Sequence, residues 1–301
     1  MTEVVVRPED TLDTLKEKVR LATILGTLQS TLTNFRYLRK IWKDNAEEER
    51  LLGISLTGIM DHLVMSGNTG VEIDSNGNTE LEVISWLKEL KKVAKEANEE
   101  WASILGINPS KQLTLIKPSG TVSQLVNSSS GIHPRYARFY IRRVIQDNKD
   151  KLTDFMKDQG VPYVCSGDKT IFSFVVKAPE GSITTRDMSA MEQLNLWLIY
   201  REYWCDGNPS QTIYYNDNEY FAIAQWVWEN WDSIGGLSFF PRSETETVYE
   251  NAPYEEISEA EYENLSSTFP LINWEKLREY ERQDETTSSQ EFACAGGACE
   301  I

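Results

Sequence analysis

The chain opens on a β-branched run. Thr2 to Arg7 contains Val4-Val5-Val6 and predicts a buried strand, an abrupt opening that points to a fold entered partway. Asp10 and Asp13 form a capping pair for a helix whose Leu12, Leu15, Val19, Ala22 and Leu25 recur at helical spacing, and which runs on past Gly26 to Trp42. The apolar stretch Leu51 to His62 reads as a further helix, with Gly53 and Gly58 allowing close packing. Residues 67–79 are rich in Gly, Asn, Asp and Ser and form a loop, while 81–105 is a charged amphipathic helix ended by Gly106. Leu113 to Ile116 is a short buried strand, and Phe139 to Val144 is extended or helical. Ile171 to Val176, Gln211 to Tyr215 and Leu237 to Phe240 are strands; Thr185 to Trp204 and Glu219 to Trp231 are helices. After the acidic stretch 243–263 comes a last helix, Trp274 to Arg282, and then the polar, flexible segment 283–290. Five strands alternating with helices predict an α/β fold with a largely parallel sheet and crossover helices.

Charge and length narrow the classes. A chain of 301 residues permits one large domain or two smaller ones, and 40% hydrophobic content supplies a real core. The formal net charge of −17 argues against nucleic acid as a partner, although Arg135, Arg138, Arg142 and Arg143 make a local basic patch. No apolar run approaches the ~20 residues of a membrane helix, and the first residues lack a signal design. The expectation is a soluble, cytoplasmic protein with no membrane partner. Of four cysteines, Cys165 and Cys205 sit among apolar or aromatic neighbours and read as core thiols.

Two stretches carry candidate chemistry. The strand Leu113 to Ile116 runs into the turn Pro118-Ser119-Gly120 and then into helix-like residues Thr121 to Val126. Such a turn aims free backbone N–H groups at one point, which suits a phosphate. Gly120 admits close approach, and the hydroxyls of Ser119, Thr121 and Ser123 can donate. An ordinary capped loop would look similar. The second stretch is Cys294-Ala-Gly-Gly-Ala-Cys299, whose small spacers let the two sulfurs meet. A zinc site needs about four ligands, and no second pair lies near. A dithiol oxidised in one place and reduced in another remains, beside the plainer reading of two incidental thiols.

Together these stretches resemble the adenosylcobalamin-dependent (class II) ribonucleotide reductases, in particular the monomeric ribonucleoside-triphosphate type. The resemblance rests on Thr2 to Pro8, Leu51 to Asp61, Ile116 to Leu125, Gly131 to Tyr136, Trp204 to Ser210, Leu237 to Pro241 and the Cys294/Cys299 tail. It implies the C-terminal five-stranded half of that family's ten-stranded α/β barrel over residues 1–282, followed by a flexible redox tail over 283–301. It further implies a substrate phosphate loop made of Pro118, Ser119, Gly120, Thr121, Val122 and Ser123. Cys294 and Cys299 would shuttle electrons from a thioredoxin-like reductant to an active-site disulfide. The substrate would be a ribonucleoside triphosphate or diphosphate, and the cofactor adenosylcobalamin, shared with an N-terminal half.

One departure shapes this expectation. The family's radical-bearing cysteine stands in an Asn-Pro-Cys-x-Glu loop, and no Asn-Pro-Cys occurs here; Asn208-Pro209 is followed by Ser210. The family's two reducing cysteines are missing as well. The chain is therefore expected to act with a separate N-terminal half and to be incomplete alone. Rival readings are a tyrosine-dyad (class I) reductase using Tyr214-Tyr215, and a non-catalytic phosphate-binding or regulatory protein with a redox-sensing tail. His133 reads either as a base or lower cobalt ligand or as a hydrogen-bonded structural residue, and His62 is a weaker candidate of the same kind.

Overall fold

A computed structural model describes residues 1–69, 71–73, 79–242 and 251–281. In order these form β1 (Thr2–Val5), α1 (Leu12–Gln29), α2 (Lys40–Glu49), β2 (Ile54–Thr57), β3 (Val71–Ile73), β4 (Thr79–Leu81), α3 (Glu82–Leu105), α4 (Val122–Leu125) and β5 (Phe139–Asp147). They continue with α5 (Lys151–Asp158), β6 (Tyr163–Ser166), β7 (Lys169–Lys177), α6 (Ala190–Tyr203), β8 (Thr212–Tyr215) and α7 (Tyr220–Glu229). Last come β9 (Ser238–Pro241), β10 (Tyr254–Glu256), α8 (Glu259–Thr268) and α9 (Leu277–Tyr280). Two compact units result: Met1–Arg135 with Glu180–Arg242, and Tyr136–Pro179 with the described residues beyond 250.

The first unit is built on parallel pairing. β1 runs parallel to β2, with Val4 opposite Leu56, and α1 and α2 lie in the connection between them. Ile54 N–H donates to Leu113 O at 2.8 Å and Leu115 N–H to Ile54 O at 3.2 Å, so residues 113–115 follow β2 as a further parallel rung after the α3 crossover. β8 and β9 form a second parallel pair joined through α7. Val4, Leu15, Val19, Ile54, Leu56, Leu87, Leu90, Ile116 and Trp204 share one core. Leu15 and Val19 of α1, and Leu87, Leu90 and Ala94 of α3, are the spaced apolar positions that bury these helices.

Several expectations need correction. Leu51 to His62 is not a helix: Ile54–Thr57 is a strand buried at every position, followed by a one-turn 3₁₀ segment, Ile59–Asp61. A strand covered on both faces loses its alternation and resembles a short buried helix in sequence. Helix α1 stops at Gln29 instead of reaching Trp42. Its cap is Thr11, in a reciprocal box with Thr14, while Asp10 accepts from Arg7 N–H and pairs with Lys18. The strand at 171–176 exists within β7 but belongs to the second unit, where the sheet order β10-β5-β7-β6 is antiparallel throughout. Cys165 lies exposed on edge strand β6 and is no core thiol, whereas Cys205 is buried as expected.

In the second unit Phe155, Met156, Val161 and Phe172 form a separate core, against which Phe269, Ile272, Leu277 and Tyr280 pack. Among the described residues no helix is long and apolar enough to cross a membrane.

Candidate functional site

The stretch from Leu113 to Ser123 is held from one side by the segment Trp204 to Ser210. Asp206 N–H donates to Thr114 O at 2.8 Å and Ser210 N–H to Ile116 O at 3.0 Å. The Asp206 carboxylate accepts from Leu113 and Thr114 N–H and pairs with Lys91 at 2.9 Å. Burial opposes its charge, yet the Lys91 contact and those N–H bonds outweigh it and hold the carboxyl below its usual range. Trp204 donates its indole N–H to Leu115 O. Lys117 closes the clasp, its Nζ donating to Asn208 O at 3.2 Å and Ser210 Oγ at 2.8 Å. Trp204, Asp206, Asn208 and Ser210 of the Trp204–Ser210 motif thereby fix where the loop begins.

Within the loop, Ser119 and Ser123 are buried while Gly120, Thr121 and Val122 are exposed. Ser119 N–H donates to Ser130 Oγ at 2.8 Å, its hydroxyl donates to Glu3 Oε2 at 2.8 Å, and its Oγ accepts from Ser123 N–H at 3.0 Å. Ser123 returns its own hydroxyl hydrogen to Ser119 O. Both buried serines are thus committed to the protein and shape the turn. Among the described residues the N–H groups of Gly120, Thr121 and Val122 have no acceptor. Helix α4 is only four residues long, and Thr121 makes no side-chain cap. Pro118 and Val122 contribute the turn's backbone and an exposed apolar face.

Behind the loop lies a buried ion pair. Arg135 Nε and Nη2 donate to Asp61 Oδ1 and Oδ2, each at 2.9 Å, and both side chains are almost wholly buried. Asp61 also accepts from Ser129 N–H at 2.7 Å and from the Ser182 hydroxyl at 2.9 Å. Arg135 reaches Asn127 Oδ1 and O. The Leu51–Asp61 and Gly131–Tyr136 motifs are joined here. Gly58 enters this turn at φ +84°, where a Cβ would sit 2.2 Å from Val6 O, so only glycine fits.

The histidines are structural. His133 Nδ1 lies 2.9 Å from Ser130 O and must donate to it, which leaves Nε2 to accept Thr212 N–H at 3.0 Å. His62 is held likewise, Nε2 donating to Asp10 O and Nδ1 accepting from Val64 and Met65 N–H. Burial pushes His133 down to about 4 against the pull of Ser130 O. A folded-state value below the unfolded one means that the unfolded chain takes up the proton first. The stabilisation is therefore whole above about pH 6.5 and drains away as pH falls toward 4, amounting to about 3 kcal/mol. Urea unfolding at pH 7.5 and 4.5 should show that loss, and His133→Gln should flatten the profile in that window; an unchanged slope would contradict the assignment.

Tyr214 packs its ring against Phe240 at 5.9 Å, and Tyr215 joins the cluster around Trp197 and Trp226. Buried Cys205 is pushed up to about 12 by its apolar surroundings and is no thiolate at neutral pH. Cys294 and Cys299 lie outside the described residues. Among the described residues no group of three or more His, Cys, Asp or Glu side chains could hold a metal ion. Sequence reasoning missed Asp61, Arg135 as its partner, and Glu3. An acidic residue closing an apolar run and an Arg after His-Pro were the signals available for the first pair.

No protein-family model matches the chain. Curated relatives do. A probable adenosylcobalamin-dependent ribonucleoside-triphosphate reductase of Dictyostelium discoideum is 28% identical over 276 residues, covering 89% of this chain and 34% of the relative. The adenosylcobalamin-dependent ribonucleoside-triphosphate reductase of Lactobacillus acidophilus is 26% identical over 311 residues, covering 95% of this chain and 41% of the relative. The chain thus spans between about a third and two fifths of the length of these relatives. Among solved structures, a B12-dependent (class II) ribonucleotide reductase superposes with a TM-score of 0.73 at 24% identity, over 90% of this chain and 40% of that one.

Proposed function

We propose that this chain forms the C-terminal portion of an adenosylcobalamin-dependent ribonucleoside-triphosphate reductase, which makes 2′-deoxyribonucleotides in the cytoplasm. The observation that carries this reading is the match, along nearly the whole chain, to reductases of that description in sequence and to a class II enzyme in fold. The parallel segments at β1, β2, 113–116, β8 and β9 would be the five-stranded half of a ten-stranded barrel. An N-terminal portion on a separate chain would add the other half, the radical cysteine and the reducing pair. Its docking edge would be β1, whose second edge is unpaired among the described residues and borders a cavity of about 490 Å³. Val4, Val5, Leu21, Ala22 and Leu25 line that cavity and suit an apolar strand.

In this reading the Pro118–Ser123 loop binds the substrate phosphates. The N–H groups of Gly120, Thr121 and Val122 make the contacts, and Ser119 and Ser123 hold the turn. Fixing the phosphates fixes the ribose, a positioning role. The reduction converts ribonucleotide and two thiols to deoxyribonucleotide, a disulfide and water. The Cys294/Cys299 dithiol then attacks that disulfide, is itself oxidised, and is restored by a thioredoxin-like protein. Adenosylcobalamin would serve the assembled enzyme by supplying the radical. The residues described here do not fit a cobalt ligand: both ring nitrogens of His62 and of His133 are already engaged.

One rival reading is a phosphate-binding regulator with a redox-sensing tail. Reconstitution separates the two. Deoxynucleotide should form when this chain, a matching N-terminal portion and adenosylcobalamin are combined, and should fail to form when any one is left out. No product from the full mixture, with the tail still titrating as a reversible dithiol, would give the regulator the better claim.

A further inference from the structure

The phosphate loop is tied to β1 by a carboxylate. Glu3 Oε2 takes the only hydroxyl hydrogen of Ser119, at 2.8 Å, while Ser119 Oγ receives Ser123 N–H. Among the described residues no cation pairs with Glu3. Arg7 and Lys18 border the same cavity, but Arg7 Nη1 donates to Val126 O and Lys18 Nζ is held by Asp10 and Val5 O. The loop whose exposed residues Gly120, Thr121 and Val122 have N–H groups without an acceptor among the described residues is therefore tied, through Ser119, to an acid with no pairing cation among them.

Resting on the phosphate reading above, we infer that Glu3 is a positioning residue that sets the loop's affinity: it fixes the Ser119 hydroxyl, and its negative charge weakens the hold on an anion. The two effects share one side chain but separate chemically. Accepting from Ser119 needs an oxygen, not a charge; repelling an anion needs the charge. Ser119 is the neighbour of Gly120, and successive Cα atoms lie about 3.8 Å apart, so the carboxylate stands roughly 6–8 Å from an anion on the Gly120 N–H. At that range, with the screening of a protein surface, one unit charge changes an anion's affinity by about tenfold. Burial already holds the Glu3 carboxyl above its ordinary range although Ser119 donates to it, which agrees with the lack of a compensating cation. For a turnover enzyme the consequence is release: a loop that gripped phosphate without opposition would retain product as firmly as substrate.

Inorganic tripolyphosphate, titrated calorimetrically into the full chain at pH 7.5 and constant ionic strength, tests both halves. Glu3→Gln keeps the acceptor and deletes the charge, and should bind about tenfold tighter than wild type. Glu3→Ala deletes both and should bind at least threefold more weakly than Glu3→Gln, with its fold checked by circular dichroism. Gly120→Val locates the ligand and should abolish binding in each background. Equal affinity of Glu3→Gln and wild type, with Gly120→Val still abolishing binding, overturns this inference alone. Equal affinity of Glu3→Gln and Glu3→Ala overturns the positioning half. Binding that Gly120→Val leaves untouched, or no binding by any protein, overturns the phosphate reading and this inference with it.

Discussion

Replacing Arg135 with Met should lower the unfolding free energy by about 3–5 kcal/mol, because it strands a buried charge. The Asp61 carboxylate keeps Ser129 N–H and Ser182 Oγ as donors but loses two guanidinium bonds of 2.9 Å and their compensating charge. Asn127 loses the same guanidinium from its Oδ1 and its carbonyl. Methionine fills much of the volume, so the loss measures charge more than cavity. The double variant Arg135→Met with Asp61→Leu should recover a large part of the deficit, since removing both ions leaves no bare charge. Urea unfolding followed by tryptophan fluorescence supplies the four corners of the cycle. A single-variant loss below about 1 kcal/mol, the size of an exposed pair, would mean that water reaches Asp61 in solution.

The largest effect on turnover is expected in the tail. Cys294→Ser with Cys299→Ser hardly changes side-chain size, so folding and phosphate binding should survive. In the reconstituted enzyme with a thioredoxin system as the only reductant, product should stop at about one per site, because one active-site dithiol delivers one pair of electrons. A small dithiol that enters the pocket directly should restore much of the multiple turnover. Normal turnover of the double variant with thioredoxin would remove the tail from the electron path and advance the sensor reading.

How much of this was legible in the sequence differs from element to element. Helix α3 was readable almost to the residue, because its polar and apolar faces keep the helical period and Gly106 ends it at φ +66°. Residues 113–116 and β8 were readable from β-branched and apolar content between turn residues. β2 was not, since Ile54 to Thr57 is buried on both faces and carries no alternation. β7 was found but misassigned: an apolar run shows that a strand is covered and says nothing of whether its neighbours are parallel. β6 escaped notice because all four of its residues are exposed on an edge. The loop Pro118–Ser123 was visible as a motif, yet the split between Ser119 and Ser123 as internal braces and Gly120–Val122 as the outward face was not. That split depends on Glu3 and Ser130, which lie far off in sequence. The Asp61–Arg135 pair is likewise a contact across 74 residues that no local pattern announces.

The bridge between Arg135 and Thr184 bears on the rate of folding. Arg135 N–H donates to Ile183 O and Thr185 N–H to Arg135 O, each at 2.8 Å, while β5 and β7 pair from Phe139↔Lys177 to Asp147↔Lys169. These contacts bring the two ends of a long excursion together by a zipper of local steps. The clasp between Thr114 and Asp206 must otherwise close across 92 residues. Once the excursion is zipped, the free length to be closed falls to roughly half, which lowers the closure entropy by about 0.6 kcal/mol. That corresponds to an approximately threefold faster closure. The antiparallel sheet thus shortens the search that places the Pro118–Ser123 loop, whatever part it takes in the chemistry.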